Sequence, residues 1–381
     1  MNSTEKNNLE KPTLIQTIGA VLVAAFMWGS GNVLSRSLLI EGVNEIFLVT
    51  LRVTLIGSIL FLNYFLFIRE KFQMRILKEA TITGTFSVFS VSWFFIYALQ
   101  YISSGLVTLL ISSAPVFTAL WLKILLKEEK ISRVRYIAII VGFIGILYLF
   151  ITGETGLLND GDILLGGTLA FFGVQCIALA TVLNRKYAPK YKVATWLTYQ
   201  YPLVIILSIA AYIIFDIEPQ SLSTSQIIRI GALVISNLSA FTAFTWLIRR
   251  VSALQVASVD YLVPIVGVTA GVVFLNEAFN SNILIASIFM MGTILGVNGI
   301  NIGHELGHKT KHKTKTFFAH IMLLTAIQNH FIPYHNGGHH RDVATPDDLS
   351  SAKEGDIFYF FALRSQTVSY THLTLPTTPY V

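Results

Sequence analysis

Eight histidines stand between His304 and His340, and the ninth and last is His372; the first 303 residues hold none. The spacing inside the cluster repeats itself. His304 and His308 are four apart, as are His335 and His339, and His340 follows directly. Residues four apart share a helix face, and neutral imidazole is the commonest metal ligand. Several imidazoles placed this way suit a di-iron or other transition-metal centre; the plain alternative is a solvated set that binds nothing. A second, sparser set lies among apolar residues. Arg52 sits in "FLVTLRVTLIG" and Asp260 in "VDYLVPIVGV". Charges at such places face a cavity or each other. Arg52 reads as a clamp for a substrate carboxylate or a gate, or else as the structural partner of a carboxylate such as Asp260. Asp260 reads as the carrier of a coupling proton, because a low-dielectric setting favours the neutral acid, or else as half of a fixed ion pair or a helix-end residue. Trp28, Trp93, Gln175, Gln200 and Asn237 either line a solute site or merely pack and bond across helices. Pro115 and Pro264 are expected to break their helices and free backbone groups toward a cavity, the alternative being a tolerated kink.

The elements that carry these groups follow from composition. Of 381 residues, 54% are hydrophobic and 13% charged, against about 25% charged in a soluble domain. That is an integral membrane protein. The single cysteine, Cys176, excludes a disulfide framework. Ten apolar runs are near the roughly 20 residues a spanning helix needs: 14–34, 45–68, 80–100, 104–126, 134–152, 161–183, 194–215, 226–248, 254–275 and 281–300. Met1–Thr13 is polar, and the run after it reads as a first span rather than a cleaved signal. The net charge of +6 would suggest nucleic acid, but the loops explain it better. The N-terminal segment and the loops after spans 2, 4, 6 and 8 hold 17 Lys and Arg, and the opposite loops hold only Arg36 and Arg229. The positive-inside rule puts both termini in the cytoplasm.

The sequence also matches itself at a shift of 149: "NVLSR" (Asn32–Arg36) lies over "TVLNR" (Thr181–Arg185), Ser103 over Ser252, Pro115 over Pro264 and Glu128 over Glu277. Each copy holds five spans, an odd number, so the second copy is expected to enter the membrane upside down. Inverted repeats of this kind build many secondary transporters, with the solute site near the midplane between the halves. The early "FMWGSGNVLSR", the prolines in "SSAPVFTALW" and "VDYLVPIVGV", and the glutamates closing those spans in "LLKEE" and "FLNEA" resemble the EamA-type drug/metabolite transporter family over about residues 14–300. The resemblance implies an all-α integral membrane fold of ten transmembrane helices as two inverted five-helix repeats, 14–152 and 161–300. It also implies movement of a small-molecule solute, often an amino acid or related compound, across the lipid bilayer of the inner membrane. Nucleic acid and any cofactor are not expected there; a homodimer is.

The tail carries different signatures. "HELGHK", "NHF" and "HNGGHHRDVATPDDLSSAKEGDIFYF" resemble the membrane alkane hydroxylases over about 301–368. That resemblance implies a non-haem di-iron site with His304, His308, His330, His335, His339 and His340 as ligands, and hydroxylation of a terminal methyl group as the competing function. The family carries further histidine boxes downstream, and this chain ends before them, so the iron set is expected to be incomplete and the segment inactive. The stretch 316–331 is expected at the membrane interface rather than across it. A join is expected near 292–302, and "SYTHLTLPTTPYV" at 369–381 resembles neither family and reads as translated adapter sequence.

Overall fold

A computed structural model describes residues 12–126, 133–158, 161–251, 253–294, 306–308, 311–325 and a few positions from His339 to Phe361. The chain divides into two compact units, Met1–Ile294 and Leu295–Val381. The described residues of the first unit are helical: α1 (Leu14–Ile40), α2 (Glu45–Asn63, extended by a π-helical turn to Ile68), α3 (Met74–Gly84), a π-helical stretch Thr85–Ser90, α4 (Val91–Tyr101), α5 (Ser104–Ile111), α6 (Ala114–Leu126), α7 (Arg133–Thr152), α8 (Ile163–Tyr187), α9 (Val193–Thr198), α10 (Tyr201–Ile214), α11 (Thr224–Arg250), α12 (Ala253–Leu275) and α13 (Ser281–Ile294). Seven helical runs are long and apolar enough to cross a membrane, and three shorter apolar helices (Ile140–Thr152, Leu262–Leu275 and Ser281–Met291) hold the positions of spans 5, 9 and 10. The fold is therefore all-α and multi-spanning, as expected.

Local chemistry sets the helix ends. Thr13 and Ser223 open α1 and α11 with capping boxes closed by Gln16 and Gln226. Asn44, Ser103 and Asp162 cap α2, α5 and α8 with their side chains. Each satisfies an N–H of the first turn that has no partner within the helix. Arg69 leaves the helix after α2 with φ at 48°, which ends the span before the basic loop. Many large apolar side chains on the outside stay exposed, among them Phe65, Phe67, Ile151, Ile214 and Phe274. A lipid-facing surface has no reason to hide them.

The main packing partners are α1 with α11 and α12, α4 with α8, α5 with α12, α2 with α10, α6 with α8, and α7 with α13. At the lysine/arginine-rich end, Lys190 pairs with Glu79 at 3.1 Å and Lys192 with Glu70 at 2.7 Å. The Lys192 ammonium holds the Glu70 carboxyl below its ordinary value, and the hydroxyl of Thr195 adds to this against partial burial. At the opposite end, Arg229 pairs with Glu41, and Gln220 accepts from the Asn44 N–H at 2.7 Å.

In the second unit the described residues include the helix α14 (Lys313–Thr325), 13 residues long. At 1.5 Å per residue it reaches about 20 Å, short of the roughly 30 Å apolar core of a bilayer. The rest of the 316–331 stretch lies outside the described residues.

Candidate functional site: a polar cavity between the helices

Two helices set the geometry. Trp28, Gly31, Asn32 and Ser35 recur at the i, i+3, i+4, i+7 spacing that puts residues on one face of a helix, and all four line a cavity of about 130 Å³. Ile177, Ala180, Thr181 and Asn184 of α8 line the same cavity, and each lies 149 residues after its counterpart in α1. The remaining wall comes from α2, the third span, the end of α5, α9 and the break after it, α11 and α12. By a measure in which one water needs roughly 10–15 Å³, the space holds a solute on the order of ten non-hydrogen atoms.

Arg52, Gln200, Asn237, Asp260 and Trp28 all line this cavity. Arg52 is 8% exposed on α2. Among the described residues its guanidinium makes no ion pair or hydrogen bond, so the structural pairing with Asp260 is not formed; both charges face the same space. Gln200 sits where the seventh span breaks, between α9 and α10. It is 2% exposed and its Oε1 accepts from the Ser87 hydroxyl at 2.6 Å. Ser87 belongs to the π-helical stretch of the third span; such stretches shift the helix register and often mark functional positions. Asn237 spends its Nδ2 on the Leu233 carbonyl of its own helix at 2.9 Å. Trp28 packs against Phe241 and Phe244, with ring centroids 5.6 and 5.0 Å away, so the cavity has one aromatic wall and several amide and hydroxyl groups.

Trp93 and Gln175 do not line the cavity. Trp93 packs among Phe89, Tyr97 and the apolar cluster around Leu48 and Leu233, and Gln175 accepts from Trp121 Nε1 at 3.3 Å. Their helices are right for the site but their faces are not. The two prolines behave differently from each other. Pro115 begins α6 just after the break at Ser112–Ser113, so the fourth span is interrupted as expected. Pro264 does not break its helix: α12 runs unbroken from Ala253 to Leu275 with the proline inside. A proline has no N–H to give the carbonyl four residues back, and for Pro264 that carbonyl belongs to Asp260 itself. The cost is thus met at a cavity-lining residue without interrupting the helix.

Ser87, Ser92 and Thr245 of the cavity wall left no signal in the sequence, and four further groups left one that was missed: Asn32, Ser35, Thr181 and Asn184. Their signal was the overlay of "NVLSR" on "TVLNR", which pairs Asn32 with Thr181 and Ser35 with Asn184. A fifth was Gly267-x-x-x-Gly271, a small-residue spacing that lets membrane helices touch.

Of the six expected iron ligands, His304, His330, His335 and His340 lie outside the described residues. His308 is exposed. His339 Nδ1 lies 2.8 Å from Asp348 Oδ2, and Asp348 also accepts from the Ser351 hydroxyl. A carboxylate on one ring nitrogen is how ligating histidines are held, with the other nitrogen left for the metal. Among the described residues no group of three or more His, Cys, Asp or Glu stands together as a metal site.

The EamA-like transporter family matches residues 15–151 and again 164–299. The "Uncharacterized transporter YyaM" of Bacillus subtilis is 29% identical over 208 residues, covering 52% of this chain and 66% of its own. "Alkane 1-monooxygenase" of Ectopseudomonas oleovorans is 47% identical over 70 residues, 18% of this chain. The chain spans 17% of the length of that relative. A solved crystal structure at 18% identity aligns over 74% of this chain and 96% of its own with a TM-score of 0.52, which supports the fold alone.

Proposed function

This chain belongs to the EamA-like transporter family, and from that premise we propose that residues 14–300 form a secondary transporter. Membership makes it a multi-pass membrane protein with a small solute as its cargo. The finer reading is an amino-acid-like or related metabolite, moved across the cytoplasmic membrane by alternating access, with both termini in the cytoplasm. The observation that carries it is a cavity lined by an arginine and an aspartate that do not neutralise each other. A buried guanidinium without a partner is costly, and a solute carboxylate would supply one in bidentate geometry. Asp260 is left for a proton or a solute ammonium.

Inverted repeats are part of the same proposal. Exchanging each span for its counterpart turns the α1–α11 contact into α8–α4, and α1–α12 into α8–α6. It leaves α2–α10, α5–α12 and α7–α13 as pairs of counterparts. A two-fold axis in the membrane plane produces that pattern.

The test is uptake by the full chain in proteoliposomes, using a panel of labelled amino acids and small carboxylates. Arg52→Gln should lower the rate by about tenfold or more, the worth of a hydrogen bond to a charged group, without loss of the folded species in gel filtration. Equal rates for the two proteins, or no uptake of any panel member by the unaltered chain, would sink the reading.

Iron at the 301–368 segment is the second reading, supported by the His339–Asp348 contact and the alkane 1-monooxygenase match. As the chain spans only a small part of those enzymes, their activity is not assigned to it.

A further inference from the structure

A close crossing in the first unit joins α12 to α5 through residues that do not line the cavity. Gly267 and Gly271 present bare backbone to α5. A Cβ on Gly267 would run into Thr108, and one on Gly271 would fall on the Glu277 carboxylate and 2.9 Å from the Ser104 hydroxyl. Ser104 and Thr108 are themselves small and four apart, so both helices meet through small residues.

Just past α12, the chain turns at Asn276 with φ at 52° and sends Glu277 back onto the start of α5. Its Oε1 accepts from the Ser104 N–H at 2.7 Å. Its Oε2 accepts from the Ser104 hydroxyl at 2.9 Å and from the Gly105 N–H at 3.0 Å. Ser103 takes the Leu106 N–H at 3.1 Å, so the exposed donors of the first turn are all used. A carboxylate is the preferred group at this positive end of a helix. Glu277 is only 8% exposed. Around it, Thr155 accepts from Ser103 N–H at 2.8 Å and Gly156 from Ala278 N–H at 2.9 Å. Glu154 takes Asn280 and Asn282 at 2.7 and 2.8 Å. Three segments that are far apart in sequence are thus tied at one end of the bundle, opposite the lysine/arginine-rich loops.

We propose that Glu277 is a latch that holds this end of the bundle shut by capping α5 from α12, and that it must leave Ser104 and Gly105 for the cavity to open there. The latch rests on the transporter reading only for its purpose. α5 and α12 are counterparts in the two repeats (104 and 253 differ by 149), so this crossing lies where the halves must rock against each other. Arg36 has a buried Nε without a partner, while its Nη1 donates to the Leu99 carbonyl.

The experiment is one-sided thiol labelling of the full chain. In a Cys176→Ser background, Ser35→Cys places a thiol on the cavity wall, and a membrane-impermeant maleimide is added to right-side-out or inside-out vesicles. Glu277→Ala removes the latch; Gly271→Ala displaces it with a methyl group while leaving the carboxylate present. Both should raise labelling about tenfold from one face only, the face away from the basic loops. No rise from either face, or an equal rise from both, overturns the latch. If the one-sided rise is seen but the unaltered chain takes up no solute, the transporter reading fails and the latch stands.

Discussion

Asp260 and Arg52 gain their meaning from what surrounds them rather than from their own chemistry. Each is a charge on an apolar helix, and in a sequence that is equally consistent with a fixed ion pair. The described structure puts them on one cavity wall without pairing them, and the carbonyl of Asp260 is the one that Pro264 leaves without its helical donor. A carboxyl group in this position can take up and release a proton as its access changes. Asp260→Asn removes that capacity while keeping the shape. We expect the variant to bind solute but to lose the stimulation of uptake by an imposed pH gradient across proteoliposomes. Stimulation equal to that of the unaltered chain would show that the coupling proton is not carried here.

At the scale of helices, the interruptions do the positioning. The third span shifts register at Thr85–Ser90, the fourth breaks at Ser112–Ser113, and the seventh breaks at Tyr199–Gln200. The first and third of these touch through Ser87 and Gln200. Gly84 allows that contact, because a Cβ there would meet the Gln200 carbonyl and stand 2.9 Å from its Cβ. Alanine is worth about 1 kcal/mol over glycine inside a helix, but the obstruction is backbone and cannot swing aside. The clash should win, at a net cost of about 1–3 kcal/mol as for other overpacked sites. Gly84→Ala should therefore melt at a lower temperature than the unaltered chain in detergent, and a higher melting temperature would refute the packing argument. The ninth span teaches the opposite lesson, since Pro264 sits in a helix that stays whole.

Across the first unit, each of the two ends is tied by an ion pair in which the first copy supplies the acid and the second the base. Glu79–Lys190 joins the repeats at the basic end, and Arg229–Glu41 joins them at the other. Glu41 and Lys190 differ by 149: one position carries an acid in the first copy and a base in the second. Under the proposed opposite orientation of the two copies, each position then follows the charge bias of its own side. The histidine segment belongs to a separate compact unit, and its chemistry is expected to be separable. If that segment binds iron, metal analysis of the purified full chain should find it, His339→Ala should reduce it, and solute uptake should stay unchanged. An iron-free preparation would end the iron reading and leave the transporter untouched.

The sequence by itself determined the membrane class, the approximate spans and the shared register of the two copies. Apolar length, loop charge and a shift of 149 are properties of the chain order, and hydrocarbon solvent leaves helices almost no alternative. It also indicated Trp28, Arg52, Gln200, Asn237 and Asp260, because polar groups at membrane depth are costly enough to stand out. Which of the candidates meet was decided only by the tertiary structure. Trp93 and Gln175 were just as conspicuous, yet the rotation of their helices turns them into packing positions. Glu277 looked like the end of a span, and only the return of the chain at Asn276 set its carboxylate on the first turn of α5. Helix rotation and chain reversal depend on contacts between residues far apart in the chain, 54 positions for Trp121–Gln175 and 173 for Ser104–Glu277, and no local pattern records them.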